Sequence, residues 1–161
     1  MTEVRIAKNS ELSKLPSIEK SADFLFEEAG IRNLPPVASI DELRSAKCIM
    51  VIGNPPSGFI RIDEVGNKAH IEQLSVKRNY MGQGLGSKLL KAAVEWAKVN
   101  GYSQITLITF KDIPWNGPFY KKHGFEELLN IPGDIKKLRE HEKELGLDSM
   151  GERIVMHKIL N

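Results

Sequence analysis

Three glycines at alternate positions, Gly82, Gly84 and Gly86, have the type and spacing to bind an anion. They follow a strand-like segment that ends near Val76, and they open the clearest helical pattern in the chain. Glycines lack the Cβ atoms that would block a ligand, and successive N–H groups can point to one side, where the helix dipole favours negative charge. The stretch therefore predicts a phosphate or pyrophosphate cradle, and the alternative is a tight strand-to-helix turn with close packing.

Two common nucleotide-binding motifs do not fit this stretch. A Walker A loop ends in Gly-Lys-Ser/Thr, which does not follow here at the right spacing. A Rossmann fingerprint places Gly-x-Gly-x-x-Gly in the first strand-to-helix turn, whereas this Gly-x-Gly-x-Gly follows four strand-like segments. The sequence therefore favours another kind of anion site.

A second segment adds specificity. Residues 116–125 read Asn-Gly-Pro-Phe-Tyr-Lys-Lys-His-Gly-Phe. Together with residues 81–86, they resemble the GNAT superfamily of acyl-CoA-dependent N-acetyltransferases. The acyl-CoA loop of that family reads Arg/Gln-x-x-Gly-x-Gly/Ala, and a later segment reads Tyr-x-x-x-Gly-Phe. Two motifs in the right order, separated by a helix and a strand, are more specific than either motif alone.

The resemblance implies a fold and a domain organisation. We expect an α/β (α+β) fold in one GNAT-like domain over residues 1–161, with an acyl-CoA-binding core at about residues 69–126. The sheet is expected to be mixed, mostly antiparallel and twisted, with about six or seven strands and helices on both faces.

The resemblance also implies a reaction. The chain would be an acyltransferase that moves an acetyl group from acetyl-CoA to a primary amine of a small molecule, by direct transfer in a ternary complex and without a metal. Since an alkylammonium has a pKa near 10.4, a base must take its proton, and Glu72 is the candidate, acting through a water. Tyr120 is the candidate acid, because a phenol of pKa near 10 can protonate a thiolate whose conjugate acid lies near 8.5.

The same resemblance assigns the coenzyme contacts. The backbone of Leu74 and Val76 would pair with the pantetheine arm, and the Leu74 N–H would donate to the acetyl carbonyl. The full expected set is Leu74, Val76, Met81, Gly82, Gln83, Gly84, Leu85, Gly86, Ser87 and Asn116.

Several of these residues also have a structural interpretation. Glu72 could be a solvent-facing strand carboxylate, Tyr120 a packed ring with its hydroxyl at the surface, and Asn116 a helix cap. Period-two alternation places His70 on the same strand face as Glu72, so His70 is either a partner of that carboxylate or a structural histidine.

The loop departs from the family pattern at one position. Met81 stands where the family has Arg or Gln, and we expect this to weaken coenzyme binding without abolishing it, because the loop acts chiefly through backbone N–H groups. Lys77, Arg78 and Lys88 could supply the missing charge, or they could form a solvated basic edge.

The first helix carries candidates for binding the acceptor. Asp23, Glu27 and Glu28 could attract an ammonium group, or they could form an ordinary solvated face. Two further functions stay open beside the enzyme, namely a non-catalytic acyl-CoA-binding or sensing module and a protein acetyltransferase acting on Lys or the N-terminus.

Hydrophobic periodicity predicts the elements that must position these residues. The first helix steps through Leu12 to Ala29, with either Ser13 or Ser10 as its cap and Pro16 in the first turn or at a kink. A second, short helix is capped by Ser39 or Asp41. The predicted order is β-α-α-β-β-β-α-β-α-β-α-β, with strands at residues 4–7, 48–52, 58–63, 69–76, 105–110, from 125, and 153–160.

Composition excludes several classes of protein. Lys and Arg number 23 against 21 Asp and Glu, for a net charge of +2, so nothing calls for nucleic acid or a membrane surface. One cysteine, Cys48, excludes an internal disulfide framework. With no apolar signal region or long apolar run, we expect a cytoplasmic protein whose partner is a small-molecule amine, with a homodimer possible.

Overall fold

The computed structural model describes residues 3–161, and the order of helices and strands predicted from the sequence is confirmed. In chain order the elements are β1 (Val4–Ile6), α1 (Leu15–Glu28), α2 (Ile40–Arg44), β2 (Cys48–Ile52), β3 (Gly58–Val65), β4 (Lys68–Val76), α3 (Leu85–Val99), β5 (Gln104–Phe110), α4 (Gly117–Lys122), β6 (Glu126–Glu127), α5 (Gly133–Glu144) and β7 (Arg153–Ile159). Short 3-10 helices lie at Asn9–Lys14, Arg78–Tyr80 and Leu147–Ser149.

The strands form a seven-stranded mixed sheet, mostly antiparallel, in the order β1-β2-β3-β4-β5-β7-β6. β5 lies inside this order, and most of its residues are buried. This agrees with its nearly continuous run of apolar and β-branched residues, which is typical of a strand covered on both faces. The chain divides into two compact units.

The first unit comprises the chain up to Asp63 together with Ile71–Trp96. Its strands β1, β2 and β3 pair antiparallel, so that Val4 lies opposite Ile52 and Ile52 opposite Gly58. The buried face of α1 packs on this sheet in one apolar cluster, which contains Leu12, Leu15, Ile18, Leu43, Ile49, Val51 and Phe59. Of the stripe that predicted α1, Leu15, Ile18 and Ala22 are buried in the helix, whereas Ala29 is exposed.

The predicted cap of α1 is wrong. The chain enters α1 from the 3-10 helix Asn9–Lys14, and the residue before the first turn, Lys14, has helical backbone angles (φ −90°, ψ −15°) and no capping bond. A capping serine needs extended backbone, so neither Ser10 nor Ser13 can serve. Pro16 does lie in the first turn.

The short helix α2 follows the predicted chemistry. Ser39 has extended backbone (φ −74°, ψ 164°) and accepts a hydrogen bond from the Glu42 N–H, while the Glu42 carboxylate accepts one from the Ser39 N–H. This reciprocal pair is a capping box, which selects Ser39 over Asp41 as the start of the helix.

The second unit comprises Glu64–His70 and Ala97–Asn161. β5 and β7 pair antiparallel from Gln104 opposite Ile159 to Phe110 opposite Arg153, and the short β6 pairs with β7. The largest fully buried side chains in this unit are Ile105, Leu107, Phe125 and Ile135. β5 therefore holds the loop that leads into α4 at a fixed position within the unit.

Candidate active site

The glycine segment at the start of α3 has the backbone of an anion cradle. Gly82 and Gly84 have φ of +80° and +78°, the left-handed region that glycine adopts without strain. A Cβ added at either position would meet nothing within 4 Å. Close packing is therefore not the reason for these two glycines, and the space beside them is open to a ligand. Gly86 lies in the first turn of α3.

The cradle is anchored on both sides. The Lys77 N–H donates to the Ser57 carbonyl at 2.8 Å, which fixes the end of β4 to the start of β3. On the other side, Leu89 and Leu90 of α3 are buried. The N-terminus of this helix carries a partial positive charge, so a rigid cradle there suits a phosphate.

Arg78 is attached to α1. Its N–H donates to Ser21 Oγ at 3.1 Å, its guanidinium forms an ion pair with Glu28, and its Cζ lies 4.5 Å from the ring centroid of Phe24. Within residues 3–161, neither Lys77 nor Lys88 forms an ion pair. Of the three candidate cations, the two lysines are therefore the ones still available for an anionic ligand.

Glu72, the candidate base, lies on β4 in the first unit with its side chain exposed. The backbone of the same strand continues to Leu74, which is half-buried, and to Val76, which is buried. The exposed carboxylate of Glu72 acts electrostatically on Glu19 of α1 and contributes to a higher pKa there. The sequence-predicted base thus has an acidic neighbour.

That neighbour belongs to a row of carboxylates on α1. Glu19, Asp23 and Glu27 are spaced four residues apart, so they lie on one flank of the helix. Burial and, secondarily, the charge of Asp23 raise the pKa of Glu19 to about 7, although the Ala38 N–H and the charge of Arg61 partly oppose the shift. Burial and the charge of Glu27 raise the pKa of Asp23 to about 6. A cation would relieve this repulsion.

Sequence reasoning identified Asp23 and Glu27 but missed Glu19, although its spacing of four from Asp23 was a usable signal. It also grouped Glu28 with them, whereas Glu28 pairs with Arg78. Glu28 is therefore not part of the acidic row.

Tyr120, the candidate acid, lies in α4 of the second unit. Its side chain is 7% exposed, and its ring meets Phe119 and Phe125 edge-on, with centroids 5.2 and 5.8 Å away. Burial raises the pKa of the phenol, and the nearby charge of Arg153 opposes the rise. Among residues 3–161, no group hydrogen-bonds to the hydroxyl, and the raised pKa keeps the phenol protonated.

Asn116 does not cap α4 with its side chain, so that interpretation is wrong. Its Oδ1 instead accepts a hydrogen bond from the Phe110 N–H at 3.3 Å. The next residue, Gly117, has no room for a side chain, because a Cβ there would overlap the carbonyl oxygen of Lys111. Asn116 and Gly117 therefore close the loop after β5 tightly and set the position from which α4, with Tyr120, begins.

His70 lies in the second unit and is 2% exposed. Its Nδ1 lies 2.8 Å from Thr106 Oγ1 on β5, and burial lowers its pKa to about 4. The imidazole is therefore neutral at physiological pH. This environment matches the structural interpretation of the residue.

Comparison with known proteins identifies the family. Residues 16–125 match the acetyltransferase (GNAT) family over more than half of the chain. The chain belongs to this family. Within residues 3–161, none of the helices has the length and apolar character needed to cross a membrane.

Two relatives are similar over part of their length. Streptothricin acetyltransferase A of Bacillus subtilis is 35% identical over 91 residues, which cover 55% of this chain and 52% of the relative. Thialysine N-epsilon-acetyltransferase of Bos taurus is 35% identical over 71 residues, or 42% of this chain and 40% of the relative. The matched segments thus span about half the length of these relatives.

A solved structure is similar over nearly the whole chain. A Mycobacterium tuberculosis protein in complex with CoA and NLQ superposes with a TM-score of 0.72 at 15% identity, covering 98% of this chain and 99% of its own. At this identity the likeness establishes the fold, and the expected single GNAT-like α/β domain is confirmed.

Proposed function

We propose that this GNAT family member transfers an acetyl group from acetyl-CoA to a primary amine of a small cationic molecule, by direct transfer in a ternary complex. The observation that carries the proposal is the open cradle at Gly82 and Gly84, formed by left-handed glycines at the N-terminus of α3. A coenzyme with a pyrophosphate matches both its geometry and its charge.

The coenzyme supplies the thioester that is to be cleaved. The backbone of Gly82–Gly86, with Gln83, Leu85 and Ser87, binds its phosphates, and Lys77 and Lys88 contribute positive charge. The Leu74 N–H donates to the acetyl carbonyl oxygen, and the adjoining backbone as far as Val76 pairs with the pantetheine arm. Met81 adds no charge, so affinity rests on the backbone groups and the two lysines.

Glu72 acts as the base. A free amine must lose a proton before it can attack, because its pKa of about 10.4 leaves it almost wholly charged at neutral pH. The exposed carboxylate of Glu72 accepts that proton through a water. The neighbouring Glu19, with a pKa of about 7, is well suited to pass the proton on to solvent.

Tyr120 acts as the acid. Its raised pKa keeps the phenol fully protonated across the physiological range, so a proton is always available for the departing thiolate. The positive charge of Arg153 stabilises the phenolate that forms when this proton leaves.

The acceptor is a small amine that carries positive charge. Burial and, secondarily, neighbouring negative charge disfavour the ionised forms of Glu19 and Asp23, and an ammonium group offsets the repulsion between them. Because the two relatives are named as acetyltransferases of streptothricin and thialysine, these two compounds are the first candidates.

Thiol release from acetyl-CoA, measured across polyamines, amino acids, streptothricin and peptides, tests the proposal. We expect release that depends on a small cationic amine, with the Tyr120→Phe variant slow and a Tyr102→Phe variant of the same unit unaffected. Coenzyme binding with no amine-dependent release would instead indicate an acyl-CoA-binding module. Release with peptides alone would indicate a protein acetyltransferase.

A further inference from the structure

Helix α1 has three distinct faces. Leu15, Ile18 and Ala22 are buried against the sheet of the first unit. The helical repeat of 3.6 residues places the acidic row on one flank of this stripe and Ser21, Phe24 and Glu28 on the other flank. The acidic row serves the acceptor in the proposed function, whereas the second flank has no part in that function.

The second flank binds a single residue of another segment. Arg78 contacts Ser21 through its backbone N–H, Phe24 through the face of its guanidinium, and Glu28 through an ion pair. We refer to these four residues, Ser21, Phe24, Glu28 and Arg78, as the Arg78 clasp. Its three contacts differ in kind and are spread over two turns of the helix, so together they bear on both the position and the rotation of α1 relative to Arg78.

The clasp lies immediately before the cradle. Arg78 begins the 3-10 helix Arg78–Tyr80, and only Met81 separates this helix from Gly82. The backbone there is tightly wound, with the Tyr80 N–H donating to the Lys77 carbonyl at 2.9 Å. The cradle and Arg78 therefore lie on one short, hydrogen-bonded stretch of backbone.

The contacts of the Arg78 clasp are individually weak. The side chains of Arg78 and Glu28 are 49% and 47% exposed, so their ion pair is screened by water and contributes little by itself. The stacking of an exposed guanidinium on an aromatic ring is also modest. Contacts of this strength can form and break as the cradle fills and empties.

We propose that Arg78 is a positioning residue that couples coenzyme binding at Gly82–Gly86 to the placement of α1, and through α1 to the acidic row that receives the acceptor. This inference rests on the proposed function. Coenzyme binding orders the Arg78 segment, the clasp then holds α1, and Glu19, Asp23 and Glu27 take the arrangement that binds an amine. By reciprocity, a bound amine tightens coenzyme binding by the same factor.

Hydrogen exchange with CoA as the probe tests this coupling without requiring an identified acceptor. In the unchanged protein, CoA should slow amide exchange both in residues 77–86 and in α1. In Arg78→Met, CoA should still protect residues 77–86, but the additional protection of α1 should fall by about three- to tenfold, the range that such exposed contacts allow. Arg78→Lys keeps the charge and loses the planar stack, so it should give an intermediate value.

Arg44→Met is the matched control, because Arg44 also forms an exposed ion pair in the first unit, with Asp41. It should leave the protection of α1 by CoA unchanged. Equal protection of α1 in Arg78→Met and the unchanged protein would overturn the proposal, and so would an equal loss in Arg44→Met. If CoA protected residues 77–86 in none of the proteins, the proposed function itself would fail, which is a distinguishable result.

Discussion

Gly84 and Gly101 have nearly the same φ, so substitutions at these two glycines can distinguish an effect on ligand binding from an effect on folding. Gly84 in the cradle has φ of +78°, and Gly101 after α3 has φ of +84°. At both positions an added Cβ would meet no atom within 4 Å. Alanine at either site therefore introduces the same backbone strain and no steric clash, so Gly101→Ala is a matched control for Gly84→Ala.

The cost in stability follows from this geometry. An L-residue in the left-handed region loses roughly 1–2 kcal/mol, and the smaller entropy of the unfolded alanine chain returns about 0.4–1 kcal/mol. Each variant should therefore lose about 1 kcal/mol of unfolding free energy, which corresponds to a fall in Tm of about 2–4 °C for a chain of this size. Thermal unfolding without ligand should show similar losses in both.

Binding should separate the two variants. The methyl group introduced by Gly84→Ala would occupy the open space that the proposed pyrophosphate enters, whereas a methyl group at position 101 would face solvent outside the cradle. Titration calorimetry with CoA should show at least about a tenfold rise in Kd for Gly84→Ala, equivalent to about 1.4 kcal/mol, and no change for Gly101→Ala. Equal Kd values in the two variants, with equal losses of stability, would refute the assignment of the cradle.

Further predictions concern the proton-transfer groups. Tyr120→Phe should lower kcat by roughly 100-fold with little change in the Kd of CoA, and an unchanged kcat in steady-state assays would exclude Tyr120 as the acid. Glu72→Gln should shift the pH–rate profile to higher pH, because deprotonation of the amine then depends on solvent, and an unmoved profile would count against the base. The pKa of His70 falls from 6.5 in the unfolded chain to about 4 in the fold. His70 therefore costs the fold no stability above pH 6.5, and as pH falls towards 4 the free energy of unfolding decreases by about 3 kcal/mol at most. Glu19 acts in the opposite direction, since its raised pKa makes the fold more stable as pH falls from 7 to 4.5. Urea unfolding across this range should therefore show a steeper acid loss in Glu19→Gln than in the unchanged protein, and a shallower one in His70→Gln.

The sequence was sufficient for the order of elements because each element carries its own local signal. The apolar stripe of α1, the capping box of Ser39 and the continuous apolar run of β5 depend on residues close together in the chain. The two wrong caps depended on geometry outside that range. α1 is entered from a 3-10 helix, and the Asn116 amide is taken by the Phe110 N–H across a loop.

The candidate site divides in the same way. Gly82, Gly84 and Tyr120 could be identified because their motifs are compact and ordered along the chain. The pKa of Glu19 could not be predicted, since it depends on burial and on the charges of Asp23 and Glu72. Because Glu28 and Phe24 lie far from Arg78 in the sequence, no local pattern predicts their contacts with it.

Arg78 illustrates how tertiary contacts decide between two interpretations of one residue. In the sequence it is a cation near a phosphate cradle that lacks the arginine of its family, so the simplest prediction gives its charge to the ligand. In the fold, Glu28 forms an ion pair with the guanidinium and Phe24 covers its face, although both lie about 50 residues earlier in the chain.

If Arg78 replaced the missing family arginine, Arg78→Met would weaken CoA binding directly and Glu28→Gln would strengthen it by freeing the guanidinium. The clasp requires instead that both variants weaken the coupling between CoA and α1. Glu28→Gln then raises the Kd of CoA instead of lowering it, so the sign of its effect distinguishes the two roles.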